Sequence, residues 1–221
     1  KYADVKYYDR NRQNPLTWTI HDGLLTPERV LVKELGYYAK LPRFAMTADV
    51  RAFQEEISNG IANNRPDPPA MPEIYKNTET STIDGLEYQV NFQPTAATRV
   101  FWSQTWTHIS VKSSVDPVRR FRTENGAAPR SASVAISHSP LPGWEVSASY
   151  NFSDSSALMS TDIDNLYKLE RADARVARAF KMGRQKAELA LTLQNLGPGS
   201  KNGDRKFYFD QRAMLTLRIG D

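Results

Sequence analysis

The chain has 221 residues, of which 40% are hydrophobic and 24% are charged, and this length suits one sizeable domain or part of a larger one. Its 29 lysines and arginines against 25 aspartates and glutamates leave a formal charge of +4, which is too small to indicate a nucleic-acid partner. The lack of cysteine excludes disulfides and cysteine-ligated metals, and three isolated histidines give no basis for predicting a metal site, a cofactor or an enzyme.

Alternation of apolar and polar residues recurs along most of the chain and predicts strands whose two faces differ chemically. The pattern is present at residues 44–53, 85–93, 144–152 and 187–193. In the second of these segments every other residue is apolar: Leu86, Tyr88, Val90 and Phe92. No apolar run approaches the roughly 18 residues of a membrane-spanning helix, but a transmembrane barrel is compatible with this pattern, since its strands expose only alternate residues to lipid.

Extending the pattern along the sequence predicts about nine strands. In chain order they cover residues 30–39, 44–57, 82–93, 98–111, 131–139, 144–153, 167–180, 186–196 and 207–219. Several are as long as the roughly 9 to 11 residues that a strand needs to cross a bilayer at a tilt. A tenth strand at Lys1–Arg10 is a weaker prediction, because apolar and polar residues are poorly sorted there.

The predicted connections alternate between short and long. Short turns fall at residues 40–43, 94–97, 140–143 and 181–185, and long connections at 58–81, 112–130, 154–166 and 197–206. Outer-membrane barrels sort their loops in this way, with short periplasmic turns and long extracellular loops. The sequence therefore predicts an all-β fold made of antiparallel transmembrane β-barrel strands.

A soluble antiparallel barrel or sandwich, which would bury the apolar face and bind a small ligand there, is the alternative fold. Aromatic residues near strand ends favour the membrane barrel, whose interfacial girdles are aromatic: Tyr37, Trp106, Trp144, Phe152 and Phe180. Arg178 is an exception, since alternation from Ala174 and Val176 places it on the lipid-facing side. It lies close to the turn at Lys181, where a long side chain can reach the interface.

Six short motifs follow one another in the order found in a family of outer-membrane proteins. They are Pro27-Glu28-Arg29 with Lys33-Glu34-Leu35-Gly36-Tyr37, Asp49-Val50-Arg51-Ala52-Phe53, Ile83-Asp84-Gly85-Leu86-Glu87, Pro129-Arg130-Ser131, Arg171-Ala172-Asp173-Ala174-Arg175 and Gln194-Asn195-Leu196. In these motifs the chain resembles the TonB-dependent outer-membrane receptors. The resemblance covers essentially the whole chain, residues 1–221, but only the C-terminal part of the family's barrel.

This resemblance implies a barrel of 22 strands, plugged by an N-terminal globular domain, that imports a scarce ligand with energy delivered by TonB. We expect this chain to contribute nine or ten of those strands, with the plug domain absent. The expected partners are outer-membrane lipid and lipopolysaccharide, the missing plug domain and, through it, TonB. The expected ligand is a small molecule such as a ferric siderophore, and a passive pore or structural barrel in the same membrane is the alternative function.

Two groups of charged residues are candidates for function. Carboxylates and guanidiniums on the predicted inner face would be stranded in a small dry barrel, but in a wide lumen they can meet the plug or water. They are Glu34, Asp49, Arg51, Glu87, Asp173 and Arg175. In the predicted loop at residues 112–130, guanidiniums that could bind an anionic ligand through paired hydrogen bonds are Arg119, Arg120, Arg122 and Arg130. Such a basic loop could instead bind lipopolysaccharide or stay solvated.

Overall fold

The computed structural model describes residues 19–21, 25–64, 73–113, 117–157, 167–197 and 210–220. These residues form strands at β1 (Thr19–His21), β2 (Arg29–Leu41), β3 (Met46–Asn64), β4 (Glu73–Thr95), β5 (Thr98–Ser113), β6 (Arg130–His138), β7 (Trp144–Ser156), β8 (Tyr167–Met182), β9 (Gln185–Gln194) and β10 (Arg212–Gly220), with one α-helix, α1 (Pro117–Glu124). The segment Lys1–Arg10, predicted as a tenth strand, lies outside the described residues.

The strands lie side by side in the order of the sequence, from β2 to β10. Each pairing from β5 to β10 for which the register is given is antiparallel, and the short β1 pairs with β4 in parallel. The nine predicted strands are therefore confirmed, and so is the all-β class. Strands joined by a short turn become neighbours because the turn leaves them no other partner within reach.

The four predicted short turns are confirmed. A single 3₁₀ turn at Pro42–Phe44 joins β2 to β3, and Ala45 follows it in the left-handed conformation at φ 46°. The turn before β7 ends at Gly143, where φ is +80° and a Cβ would lie 2.7 Å from the carbonyl oxygen of Ala179. Glycine at this position therefore satisfies both the backbone conformation and the close approach to β8.

The predicted long connection at residues 58–81 is wrong in extent. Strand β3 continues to Asn64 and β4 begins at Glu73, so most of the predicted connection is strand. The added strand residues include Thr78, Glu79 and Thr80, which are polar in succession. Alternation could not identify them, because a strand with two polar faces carries no period-2 signal.

The predicted loop at residues 112–130 contains α1, which the sequence did not predict. The helix begins with Pro117, a residue suited to the first helical turn because it has no N–H to leave unbonded. Arg120 and Glu124, one turn apart, form an ion pair at 3.1 Å on its surface. None of the described helical structure is long and apolar enough to cross a membrane.

The chain divides into two compact units. Unit 1 comprises Lys1–Glu34, Phe53–Asp84 and His108–Gly126, and unit 2 comprises Leu35–Ala52, Gly85–Thr107 and Ala127–Asp221. Among the described residues of both units, the buried apolar side chains are small, one valine and otherwise alanines: Ala62, Val111, Ala157, Ala177, Ala187 and Ala190. Neither unit has a core of large apolar side chains in its described part.

Candidate functional site

The apolar side chains of unit 2 line up in rows across neighbouring strands. Trp102 on β5 lies opposite Val134 on β6, and Val134 lies opposite Tyr150 on β7. These three side chains are 43%, 41% and 45% exposed. We call this side of unit 2 the apolar face. A second row on it continues to the last strand: Val146, Val176, Leu191 and Leu215.

No described residue covers this apolar face. A soluble barrel or sandwich would bury these side chains, because each large apolar residue gains about 1.5 to 3 kcal/mol on leaving water. The structure therefore does not support the soluble alternative. An apolar face of this kind that is exposed over several strands suits contact with lipid.

The opposite side of unit 2, which we call the polar face, carries serine, asparagine and charged residues. One row runs from Ser103 through Ser133 and Asn151 to Arg171. Within it, the Ser133 hydroxyl donates a hydrogen bond to Asn151 Oδ1 at 2.7 Å. Strict alternation thus separates two chemically different faces of one sheet, as the sequence predicted.

Arg175 on β8 joins three strands on the polar face. Its Nη1 donates to Glu145 Oε1 on β7 at 3.1 Å, and its Nη2 donates to Glu188 Oε1 on β9 at 2.7 Å. Two carboxylates thus share one guanidinium, whose planar fork is suited to binding both.

Asp173 lies two residues earlier on the same face. It accepts hydrogen bonds from Arg171 Nη2 at 2.7 Å and from the backbone N–H of Asn195 at 2.9 Å. The contact to Asn195 fixes the chain at the point where β9 ends. Two motifs of the family resemblance are therefore in direct contact.

A second charged group lies on β3 and β4. Arg51 approaches Asp49 at 3.4 Å and Glu87 at 3.9 Å, and all three side chains are substantially exposed. The structure therefore brings together three of the predicted inner-face residues. Glu34, also predicted there, is exposed on β2, and no described residue binds its carboxylate.

A cavity of about 720 Å³ lies in unit 2 against the polar face. Phe101 and Arg99 line it from β5, Lys40 from the end of β2, and Asp173 and Arg175 from β8. Small residues of β6 and β7 lie between these side chains and leave the space open: Ala135, Ser137, Ser147 and Ser149.

Three of the four arginines predicted to bind an anionic ligand already bind carboxylates of this chain. Arg120 pairs with Glu124 on the helix surface, and Arg130 Nε donates to Asp154 Oδ2 at 2.7 Å. Arg119 Nε donates to Glu79 Oε2 at 2.8 Å. Arg122 also makes contacts in this structure. An anionic ligand at Arg119, Arg120 or Arg130 would have to compete with these internal partners.

The Arg119 contact holds α1 against β3 and β4 within unit 1. Glu79 is only 9% exposed, and Arg119 Nη2 also donates to the carbonyl oxygen of Ile61 at 3.1 Å. Thr123, one turn further along the helix, donates to Glu79 Oε1 at 3.4 Å. We call Glu79, Arg119 and Thr123 the helix anchor.

Glu124 ends α1 and attaches it to β5. Its Oε1 accepts a hydrogen bond from Arg120 Nε at 3.1 Å and another from the backbone N–H of Val111 at 3.2 Å. These two hydrogen bonds hold the pKa of the Glu124 carboxyl below its ordinary value.

Sequence reasoning did not select Glu145, Glu188 and Glu79 as site residues. For Glu145 and Glu188 a signal was present, since alternation places both on the side of Arg175. For Glu79 the sequence carries no such signal, because the residues around it are polar on both faces of the strand. No described group of three or more histidines, aspartates or glutamates is placed to hold a metal ion.

No family model matches the sequence, and no curated protein matches it. Solved structures match its fold. The ferric-catecholate import receptor Fiu from E. coli K12 has a TM-score of 0.66 at 15% identity, over 89% of this chain and 28% of that chain. The siderophore receptor PiuA from Acinetobacter baumannii has a TM-score of 0.66 at 16% identity, over 86% and 28%. The unliganded ferric citrate transporter FecA has a TM-score of 0.60 at 17% identity, over 87% and 31%.

These comparisons define the class of fold as an outer-membrane antiparallel β-barrel. More narrowly, the strands have the fold of the barrel of TonB-dependent receptors, which confirms at the level of the fold the resemblance seen in the sequence motifs. The matched structures are receptors and transporters and not enzymes. The chain spans about 28% of the length of Fiu and of PiuA.

Proposed function

We propose that this chain forms part of the barrel of a TonB-dependent transporter in the bacterial outer membrane, and that the complete protein imports a ferric siderophore or a similar scarce ligand. The observation that carries the proposal is the order of nine strands with alternating short and long connections. A ferric-catecholate import receptor and a siderophore receptor match the fold of this chain at a TM-score of 0.66.

The two faces of unit 2 support a place in a membrane. The apolar face, with Trp102, Val134 and Tyr150 in one row, would contact lipid, and the polar face would line the lumen. A lumen that carries Arg175, Glu145 and Glu188 must be wet or filled by polar protein, because these ions are expensive to transfer into a dry interior.

We further propose that the polar face meets a plug domain and that TonB acts through that domain. The cavity of about 720 Å³ beside Phe101 and Arg99 is space that a polar plug surface could enter. The six predicted inner-face residues would then lie toward the plug or the water around it: Glu34, Asp49, Arg51, Glu87, Asp173 and Arg175.

Ligand capture is proposed for the long connection between β5 and β6, which contains Arg119, Arg120 and Arg122, together with Arg130 at the start of β6. Of these, Arg120 is the strongest candidate, because its side chain is 56% exposed and its carboxylate partner lies on the same helix. Exposed pairs of this kind contribute little stability, so an anionic ligand could displace Glu124 at small cost.

The test is uptake of radioactive iron by cells that carry or lack the gene, with a ferric catecholate and ferric citrate as probes. Transport of at least one probe should require both the gene and an intact TonB system. Uptake that requires the gene but persists without TonB would instead identify a passive pore. The upstream part of the gene should encode a plug domain preceded by a TonB-contacting segment.

A further inference from the structure

Arg178 lies on the apolar face, in a row of side chains that are otherwise apolar or aromatic. Across the sheet it is opposite Trp144 on β7 and Leu189 on β9. Along β8 its neighbours on the same face are Val176 and Phe180, which are 40% and 36% exposed. The alternation of the sequence had singled out this residue, and the structure confirms its face.

The charge of Arg178 has no carboxylate partner among the described residues. Its guanidinium carbon lies 5.3 Å from the centre of the Trp144 ring, which is a cation–π contact, and its N–H groups donate no hydrogen bond to a described residue. The nearest carboxylates in the register, Glu145 and Glu188, lie on the polar face and bind Arg175. Within the described part of the chain, Arg178 is therefore a cation on the apolar face with neither a carboxylate partner nor a hydrogen bond from its N–H groups.

The position of Arg178 along β8 places this charge near one edge of the apolar belt. The strand ends at Met182, and the turn of Gly183 and Arg184 follows. At a rise of roughly 3.3 Å per residue and a tilt of about 40°, Arg178 would lie on the order of 10 Å in depth from that end. An arginine side chain can extend most of this distance toward the interface, and tryptophan is the residue that favours the same level.

We propose that Arg178 and Trp144 form a binding site for the phosphate group of a glycerophospholipid in the membrane leaflet on the side of the short turns. The guanidinium would donate two hydrogen bonds to the phosphate, and the indole ring would hold its orientation from behind. Leu189 and Val176 would contact the acyl chains of the same lipid. The inference rests on the proposed function only in requiring that the apolar face contacts lipid.

The test uses the protein as cells produce it, extracted from the outer membrane in a mild detergent and examined by native mass spectrometry. Phosphatidylglycerol is added as the probe, and the fraction of protein that retains it is measured. Arg178→Gln should reduce this fraction roughly tenfold, because a charge-assisted contact is lost. Trp144→Leu should reduce it less, since the Arg178 guanidinium keeps its N–H donors. Arg178→Lys should also reduce it less, since a positive charge remains at this position.

Arg184→Gln is the matched control, because it removes an equal charge from the turn of the same hairpin and should leave retention unchanged. Diacylglycerol, which has the acyl chains without phosphate, should be retained weakly and equally by all variants, and inorganic phosphate should not compete at millimolar concentration. Equal retention of phosphatidylglycerol by wild type and Arg178→Gln would overturn the proposal. Loss of lipopolysaccharide instead of phospholipid on this substitution would also overturn it.

Failure of this proposal and failure of the proposed function give different results. If the protein is recovered from the outer membrane but Arg178→Gln retains phosphatidylglycerol normally, the proposed phospholipid site is wrong. The proposal of an outer-membrane barrel is then unaffected. If wild-type protein is absent from the outer membrane, the proposed function is wrong as well.

Discussion

Arg175 illustrates how one side chain can organise the polar face. Its guanidinium is 30% exposed and binds Glu145 and Glu188, which are 49% and 33% exposed. These pairs are partly screened by water, so each is worth less than a buried ion pair. Its removal would nevertheless leave two carboxylates near each other without a cation.

We predict that Arg175→Gln lowers the free energy of unfolding of the membrane-embedded protein by about 1 to 2 kcal/mol. Glu145→Gln, which leaves the shorter contact to Glu188 in place, should cost less than about 1 kcal/mol. Urea titration of both variants in the same lipid measures the difference. Equal costs would indicate that the two carboxylates do not depend on the shared guanidinium.

Adjacent residues of β4 offer a direct test of which face meets lipid. Val90 lies on the same face of β4 as Leu86 and Phe92, which are 39% and 37% exposed, whereas Gln89 lies on the opposite face. Val90→Arg should destabilise the protein in bilayers by about 2 to 4 kcal/mol if residue 90 is near the midplane, while Gln89→Arg should be tolerated.

Each variant is folded into lipid vesicles, and the folded fraction is measured from the difference in gel mobility between heated and unheated samples. Equal tolerance would count against a membrane barrel. A severe effect of Gln89→Arg with none of Val90→Arg would reverse the assignment of the faces.

The helix α1 depends on tertiary contacts for its position. Eight residues are too few for a helix to be stable alone, so its order must come from the helix anchor and from Glu124. Glu79 is the sensitive residue in this arrangement, because its side chain is only 10% exposed and Arg119 is its charged partner.

We predict that Arg119→Gln weakens the attachment of α1 by about 2 kcal/mol, since a largely buried carboxylate loses its cation while the 31% exposure of Arg119 limits the effect. Amide hydrogen exchange of residues 117–124 should become faster. Arg120→Gln is the control, since it breaks only a surface pair and should change exchange little. Similar acceleration in both variants would contradict a specific role for Glu79.

The carboxyl of Glu124 should make the same attachment sensitive to acid. Its hydrogen bonds to Arg120 and Val111 lower its pKa in the folded state from the ordinary value of 4.5. A lowered pKa means that the stabilisation is fully present above pH 4.5 and is lost as the pH falls through the folded-state pKa. Hydrogen exchange of α1, corrected for the intrinsic rate, should therefore accelerate below that pH. In Glu124→Gln this part of the pH dependence should disappear, and its persistence would assign the effect to another group.

Sequence patterns identified the strands of this protein where their two faces differ, and failed where they do not. The alternation at residues 85–93 predicts the second half of β4, but the first half, around Glu79, is polar on both faces and gives no strand signal. The helix was missed for a related reason. Its eight residues have little apolar character of their own, and Glu79, a distant residue, holds them in place.

The sequence predicts which face of the sheet the charged residues of the candidate site occupy, but not which residues they contact. Alternation placed Asp173 and Arg175 on the same side of β8, as the structure does. Their partners depend on the register between strands, which a period of two residues does not specify. Glu188 therefore emerged as a partner of Arg175 only from the pairing of β8 with β9.

For the whole molecule, the alternation of connections predicts that the two ends of the strands face different compartments. The chain contains no cysteine, so single cysteines can report each side. Val118 on α1 and Leu141 in the turn before β7 are 42% and 61% exposed. In intact cells, a membrane-impermeant thiol reagent should label Val118→Cys but not Leu141→Cys, and both after the outer membrane is opened. Labelling of Leu141→Cys in sealed cells would invert the topology.

The four short turns also determine how a barrel of this kind can change its circumference. Each short turn joins two strands into a hairpin: β2 with β3, β4 with β5, β6 with β7 and β8 with β9. Insertion or loss of a whole hairpin leaves every later loop on its original side of the membrane. Insertion of a single strand would exchange the inside and outside of all that follows, including the long connection that carries α1. Because only an even number of added or lost strands keeps the sides of the membrane unchanged, the hairpin is the smallest unit by which such a barrel can widen or narrow and keep its long connections on the same side.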